Sequence, residues 1–490
     1  MTRRSGLCLV ALAALALAPG GSTEVPWPHG SPPTGAELRE LIDGAVALAD
    51  LERSEEYLEA QSRGDDHEHI FLLQPEIDLG LHDNDSLFRF GDGLFGHEFR
   101  REDGYAASVF PQLQRVHDGV RGGLDTFSCA GCHSVGGPDG AGGPTQNAFL
   151  GGDGDRMSSA NPRNAPAVLG LGLVQAVAAE MTSELKAQRD AALAIAADTG
   201  APTATSLSTK SVDFGMLIAM PDGSLDTSGV EGVSEDLVVR PFGWKGSGDR
   251  LRRFIEDAAR IHFGVQSHVL TLVHQNAPDV ARLGSGPDWF DPDGDGIARE
   301  LEEGILTAGA VYLALLETPV ILPPRDPELV ARWGEGAVLF ETTGCADCHR
   351  VDLVLKDITW EEWPDTTVGP PHVVNLLTDG EQPRGSQLVK LFSDLKRHAM
   401  GEELADPHDD ESGSGLPRDV FLTRPLWGLA ETAPYLHDGR AATIPEAILA
   451  HGGEAQASRD AFVALEAREQ ASMHIFLLSL TREPKVRVAR

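Results

Sequence analysis

The chain has 490 residues, 41% of them hydrophobic, with 40 Lys+Arg against 75 Asp+Glu and a formal net charge of −35. That balance excludes a nucleic-acid-binding protein, which needs a basic face, and the hydrophobic content excludes wholesale disorder. Five cysteines in this length are too few for a disulfide scaffold, so their positions carry the information.

In chain order, Arg3 and Arg4 precede an apolar run from Leu7 to Ala18, and the small residues Gly20, Gly21 and Ser22 follow. This reads as a secretory signal peptide over 1–22, with Cys8 inside it; the run is short for a membrane span. No later stretch approaches the length of a span. The mature chain is therefore expected to be exported, periplasmic or extracellular, with no membrane span.

Residues 34–62 read as a helix within an N-terminal extension over 23–86, with Leu38, Leu41, Ile42 and Val46 on one stripe and Thr34 and Glu37 as a capping pair. Residues 136–154 are a Gly-rich loop. Ser183 to Ala197 reads as helix. Val212 to Met220, the turn Pro221-Asp222-Gly223-Ser224 and a polar strand after it read as a β-hairpin. Leu251 to Ala259 is helical, and 317–327 is a Pro-rich linker.

The four remaining cysteines form two like arrangements, Cys129-Ala-Gly-Cys132-His133 and Cys345-Ala-Asp-Cys348-His349. C-x-x-C-H is the attachment signal for c-type haem: two thiols one helical turn apart reach the two vinyl groups, and the adjacent His becomes the proximal ligand. A zinc site built from two C-x-x-C knuckles would not need His133 and His349. Two covalently bound haem c groups are expected, which leaves no cysteine for disulfide or thiol chemistry. The predicted fold is mainly α, with two cytochrome c-like haem domains over 87–316 and 328–490, long loops and a small β-hairpin insertion.

Asp291, Asp293 and Asp295, then Gly296 and Glu302, occupy positions 1, 3, 5, 6 and 12 of a calcium loop, with Ile297 one place early. Calcium is expected there, against an acidic turn that binds nothing.

Further segments carry a resemblance. The run Arg424-Pro-Leu-Trp-Gly-Leu-Ala-Glu-Thr-Ala-Pro-Tyr-Leu-His-Asp-Gly-Arg-Ala-Ala-Thr443, then Glu446 to Ala455, Arg163-Asn-Ala-Pro166, Arg240 to Lys245 and Phe392 to Gly401 resemble the di-haem oxidoreductase family. That family is also labelled thiol oxidoreductase and is distantly similar to bacterial di-haem cytochrome c peroxidases. The resemblance covers about residues 87–485 and implies a peroxidase-like enzyme, electrons passing from the second haem to a more open first haem.

By position in that family, His451 stands where peroxidases carry a Met ligand, so the resemblance implies His349/His451 ligation of the second haem, with Met400 as competitor. His398 and His437 match histidines near a haem edge. No His lies between His133 and His262, which implies an open first iron; Met157 and Met181 are other candidates for its sixth position. Glu180 is a candidate acid/base residue, and Trp244 a candidate relay between haems. The partners implied are an electron-donor protein of small cytochrome or cupredoxin type with a basic docking face, and a peroxide or other small oxidant. The alternatives are a pure electron carrier, with both irons closed, and an oxidase that modifies a partner protein.

Overall fold

The structure is a computed structural model, and it describes residues 70–105, 116–117, 120–121, 126–133, 148–150, 157–265, 267, 300–365, 371–376, 386–409 and 415–482. The expected signal peptide and the 34–62 helix lie outside the described residues, as does most of the 136–154 loop. The chain divides into two compact units, one of residues 1–111, 255–312 and 361–374, the other of 112–254, 313–360 and 375–490. Both C-x-x-C-H motifs belong to the second unit. Helix is the main regular structure, and the strands are short antiparallel pairs and one three-stranded sheet. Among the described residues no helix is long and apolar enough to cross a membrane.

The first unit contains helices α1 (Gln74–Asp78) and α2 (Asn84–Gly96). Asp83 caps α2 by accepting a hydrogen bond from Ser86 N at 2.9 Å. Phe88 and Phe95 of α2 pack on Tyr312 at ring distances of 4.9 and 5.4 Å.

In the second unit, α3 (Cys129–Cys132) is followed by β1 (Ala148–Leu150) and β2 (Asn161–Arg163), which pair antiparallel. Helix α4 runs Leu171–Thr199, beginning twelve residues before the helix read from the sequence. Its first turns, Leu171 to Ala178, are buried on every side, so no 3.6-residue stripe marks them. Strands β3 (Thr203–Thr209), β4 (Val212–Ala219) and β5 (Leu225–Asp226) form an antiparallel sheet, β4 turning into β5 where Met220 N donates to Ser224 O at 2.9 Å. The sheet packs against α4. The Pro-rich segment holds β6 (Val320–Ile321), which pairs with the late strand Leu480–Thr481.

Helix α5 (Pro327–Thr342) begins with Pro327 at N1, and Asp326 accepts from the Glu328 and Leu329 amides at 2.9 and 3.2 Å. It packs on the C-terminal helix α8 (Ala467–Leu477) around Phe340, Phe392, Phe462, Met473 and Phe476. Each such buried side chain contributes roughly 1.5–3 kcal/mol. The two backbones meet at Gly336: a Cβ there would strike the Ser472 carbonyl and lie 2.9 Å from Cβ of Phe476. Gly334, on the same helix, has nothing within 4 Å of its would-be Cβ.

Gly336→Ala is therefore expected to lower unfolding stability by about 2–3 kcal/mol through overpacking. Gly334→Ala is expected to raise it by about 0.5–1 kcal/mol through helix propensity. Denaturant unfolding of both variants checks the pair.

Candidate functional site

Helix α5 ends at Thr343 and Gly344, where Gly344 adopts φ 82° and lets the chain reverse into the single turn α6 (Cys345–Cys348). Residues three apart share a helix face, so Cys345 and Cys348 point the same way. His349 follows, its amide donating to Cys345 O at 3.0 Å and its Nδ1 to Phe392 O at 3.0 Å. Phe392 lies in a turn where it and Leu395 take φ of 53° and 55°, which costs of the order of 1 kcal/mol each for bulky residues. Ser393 holds that turn: its Oγ donates to Thr423 O at 2.6 Å and accepts from Leu395 N at 3.0 Å.

Helix α7 (Ile444–Ala450) opens with a capping box in which Thr443 Oγ1 accepts from Glu446 N and Glu446 Oε2 accepts from Thr443 N. It ends at His451, whose Nδ1 donates to Ala447 O at 2.7 Å. The His349 and His451 rings lie 6.4 Å apart at 55°. Two metal–imidazole bonds of about 2.0 Å each, with about 1.1 Å from each nitrogen to its ring centre, span about 6.2 Å. A carbonyl can only accept, so each Nδ1 carries the proton and each Nε2 keeps its lone pair. Burial, then the neighbouring His451, pulls His349 down to about 4, and burial lowers His451 as well. Both are neutral near pH 7, the form a metal requires.

These residues line a cavity of about 420 Å³. Its wall is mostly apolar, with Leu171, Val174, Phe340, Ile448, Met473 and Leu477 among the lining residues, and Met400 also lines it. Arg424 lies in the wall, its guanidinium 5.6 Å from the Trp244 ring and its NH1 donating to Pro241 O. Burial pulls this arginine down to about 10, and no carboxylate among the described residues pairs with it.

The other two cavity histidines have different surroundings. His398 is held between Asp394 at 2.9 Å on Nε2 and Glu454 at 2.7 Å on Nδ1. Burial opposes its charge, yet the hydrogen bonds to Asp394 and to Cys348 lift it to about 11. Cys348, Asp394 and His398 also bring three ligand-type atoms together, but both nitrogens of His398 already meet carboxylates. His437 stacks on Phe421 at 4.2 Å, and its buried Nε2 lies 3.4 Å from Asp406 Oδ1 with no hydrogen-bond partner among the described residues. Burial pushes His437 down to about 4.

Trp244 lines the cavity too, its Nε1 donating to Asn164 O at 2.7 Å and its ring 6.4 Å from His437. Beside it lies a fully buried ionic cluster. Asp406 accepts from Arg163 NH1 and NH2 at 2.7 and 2.9 Å, and Lys245 Nζ lies 3.1 Å away. Burial acts against the Asp406 charge, but Arg163 and then Lys245 hold its carboxyl below the usual range. Nothing in the sequence distinguished Asp406 from the many other acidic loop residues.

At the first motif, Ser128 caps α3 by accepting from Gly131 N at 3.1 Å. His133 N donates to Cys129 O at 3.0 Å, and its Nδ1 to Pro166 O at 3.0 Å, the same arrangement as at His349. Burial, then Cys132, pushes the Cys129 thiol up to about 12. Residues 134–147 lie outside the described residues, as does the Met157 side chain. Met181 is fully buried in α4 and is not among the cavity-lining residues.

Glu180, the candidate acid/base residue, lies on α4 with both carboxylate oxygens engaged. Its Oε1 accepts from the Lys356 and Asp357 amides at 2.8 and 2.9 Å, its Oε2 pairs with Lys210 at 2.5 Å, and it does not line the cavity. Asp291, Asp293 and Asp295 lie outside the described residues, while Glu302 is buried just before helix Glu303–Leu315.

Residues 295–480 match the family described as "Di-haem oxidoreductase, putative peroxidase". That region of the chain, which contains the second C-x-x-C-H, is thus similar to the di-haem oxidoreductase family. The first C-x-x-C-H lies before the matched region. No curated protein matches the chain. Among solved structures, the chain is similar to Kuenenia stuttgartiensis hydrazine synthase pressurized with xenon, at 16% identity, TM-score 0.38, over 84% of this chain and 93% of that one. It is also similar to a MauG-like protein associated with microbial copper homeostasis, at 17% identity, TM-score 0.35, over 81% and 89% of the two chains.

The depressed Asp406 pKa fixes an acid dependence. The unfolded carboxyl titrates near its ordinary 3.8 and the folded one below that, so the contribution is complete at neutral pH and is lost as pH falls through the lowered value. Asp406→Asn is expected to cost about 3–5 kcal/mol at pH 7, because it leaves buried cations uncompensated. Urea unfolding at successively lower pH should show the gap between variant and parent closing below about pH 4.

Proposed function

We propose that the protein is an exported di-haem c-type oxidoreductase of peroxidase-like activity, in which electrons move from a closed second haem towards a more open first haem. The observation that carries this reading is the His349–His451 pair, two neutral, carbonyl-held imidazoles 6.4 Å apart in a cavity that also contains Cys345 and Cys348.

The residues present suit the group. Cys345 and Cys348 would hold it through two thioether sulfurs, with His349 and His451 as its nitrogen ligands; Cys129, Cys132 and His133 repeat the first part of the set. The apolar wall accepts a flat macrocycle, and Arg424, a half-buried cation with no carboxylate partner among the described residues, suits a propionate. A bound haem supplies one-electron chemistry and, where an axial position is open, a place for a small oxidant.

The chain's own residues do the rest. The Phe392 and Ala447 carbonyls fix the tautomer and orientation of His349 and His451, which raises their strength as donors. The apolar lining excludes water from the second site. Trp244, in the cavity wall and tied to Asn164, offers a π-system towards the first motif. Reduction of one H2O2 takes two electrons and two protons and gives two waters, the electrons arriving singly from a protein donor. The net charge of −35 favours a donor of small cytochrome or cupredoxin type with a basic docking face. On the same reading Asp291, Asp293, Asp295 and Glu302 hold a calcium ion, supported by their spacing.

His451→Ala is expected to convert one low-spin ferric haem to high spin, read by electron paramagnetic resonance; an unchanged spectrum removes His451 as ligand. The parent ferric protein is expected to show a high-spin component from the first haem and to oxidise reduced basic cytochrome with peroxide, at a rate that falls as salt rises. Two fully low-spin haems in every redox state, with no turnover, would establish the electron-carrier reading instead.

A further inference from the structure

The Arg163-Asn164-Ala165-Pro166 run enters the mechanism above only as the anchor of Trp244, yet its backbone meets both sites. The Asn164 carbonyl takes the Trp244 indole at 2.7 Å, and the Pro166 carbonyl takes His133 Nδ1 at 3.0 Å. Asn164, Ala165 and Pro166 also line the cavity that contains His349 and His451. One three-residue segment therefore touches the proximal histidine of the first motif, the indole and the wall of the second site. It belongs to no helix or strand, so contacts to other segments hold it.

The anchors lie on two loops. Asp406, with no exposed surface, grips Arg163 through two parallel hydrogen bonds of 2.7 and 2.9 Å. Two residues upstream, Asn161 Nδ2 donates to His408 O and Asp409 O at 3.4 and 3.1 Å, while its Oδ1 accepts from His408 N at 3.1 Å. His408 Nε2 donates to Ser158 O at 2.7 Å. At the other end, Asn164 N donates to His437 O at 2.7 Å and its Nδ2 to Pro434 O at 2.6 Å.

We propose that Asp406 is a positioning residue for the first haem site: by fixing Arg163 it sets where the Pro166 carbonyl stands against His133. The inference rests on the reading of Cys129–His133 as a haem site. A buried ion pair is a poor source of net stability, because desolvation offsets its attraction, whereas a two-point Arg–carboxylate grip is a good source of fixed geometry. The geometry matters because a hydrogen bond from Nδ1–H to a carbonyl makes the imidazole a stronger donor, and a stronger donor favours the oxidised metal.

The test uses the full-length, haem-loaded protein. Arg163→Lys keeps the charge and loses the two-point grip; Asn161→Ala cuts the neighbouring anchor without touching any charge. In both, the midpoint potential of the first haem is expected to rise and its metal–histidine stretching frequency to fall. The second haem, identified by the His451→Ala spectrum, is expected to keep its potential. Folded variants with both potentials unchanged, or with both shifted equally, overturn the proposal. Asp406→Asn should move the first haem the same way if it folds, and the other two variants decide the matter if it does not. Haem content of the parent protein is measured first: fewer than two covalent haems per chain overturns the underlying reading and the inference with it, whereas two haems with an unmoved first potential overturn the inference alone.

Discussion

A histidine can serve a metal only while one ring nitrogen keeps its lone pair, and a buried ring achieves this by giving its other nitrogen to a group that only accepts. In this chain His133, His349 and His451 each place Nδ1 on a backbone carbonyl, that of Pro166, Phe392 and Ala447 respectively. The requirement reaches far into the fold. The Phe392 carbonyl is available only because the 392–395 turn accepts two left-handed bulky residues, and Ser393 and the aromatic core hold that turn. The Ala447 carbonyl is one helical turn before His451, so the capping box at Thr443 sets its height. The Pro166 carbonyl depends on the buried Asp406 cluster.

The cavity histidines show how one residue type takes separate roles through surroundings alone. His349 and His451 meet carbonyls and stay neutral, as ligands must. His398, between two carboxylates, holds its proton well above the ordinary histidine range. His437 is stacked on Phe421 beside Arg163, Asp406 and Lys245, and burial keeps it uncharged. Neutral and charged imidazoles thus share one cavity wall, and the charged one is balanced by Asp394 rather than by solvent.

Much of the site was legible where the chemistry is local. Two cysteines and a histidine one helical turn apart must be contiguous, so both C-x-x-C-H motifs stood out in the sequence. His451 could be reached only through the family resemblance, by its position after His437, and its ring lies beside that of His349. Other features gave less signal. The start of α4 is buried all round and shows no stripe, so the helix read from sequence begins twelve residues late. That two amides and Lys210 engage the Glu180 carboxylate is likewise invisible in a sequence, since these partners are distant along the chain.

The sequence by itself determined what short-range covalent geometry fixes: the thiol spacing, the histidine adjacent to each thiol pair, and the acidic character. Only the tertiary structure decided which carbonyl each histidine meets, which carboxylate is free and which buried acid holds the 163–166 segment. Those outcomes join residues as far apart as Arg163 and Asp406, where no periodicity or motif links the partners and only packing brings them within a hydrogen bond.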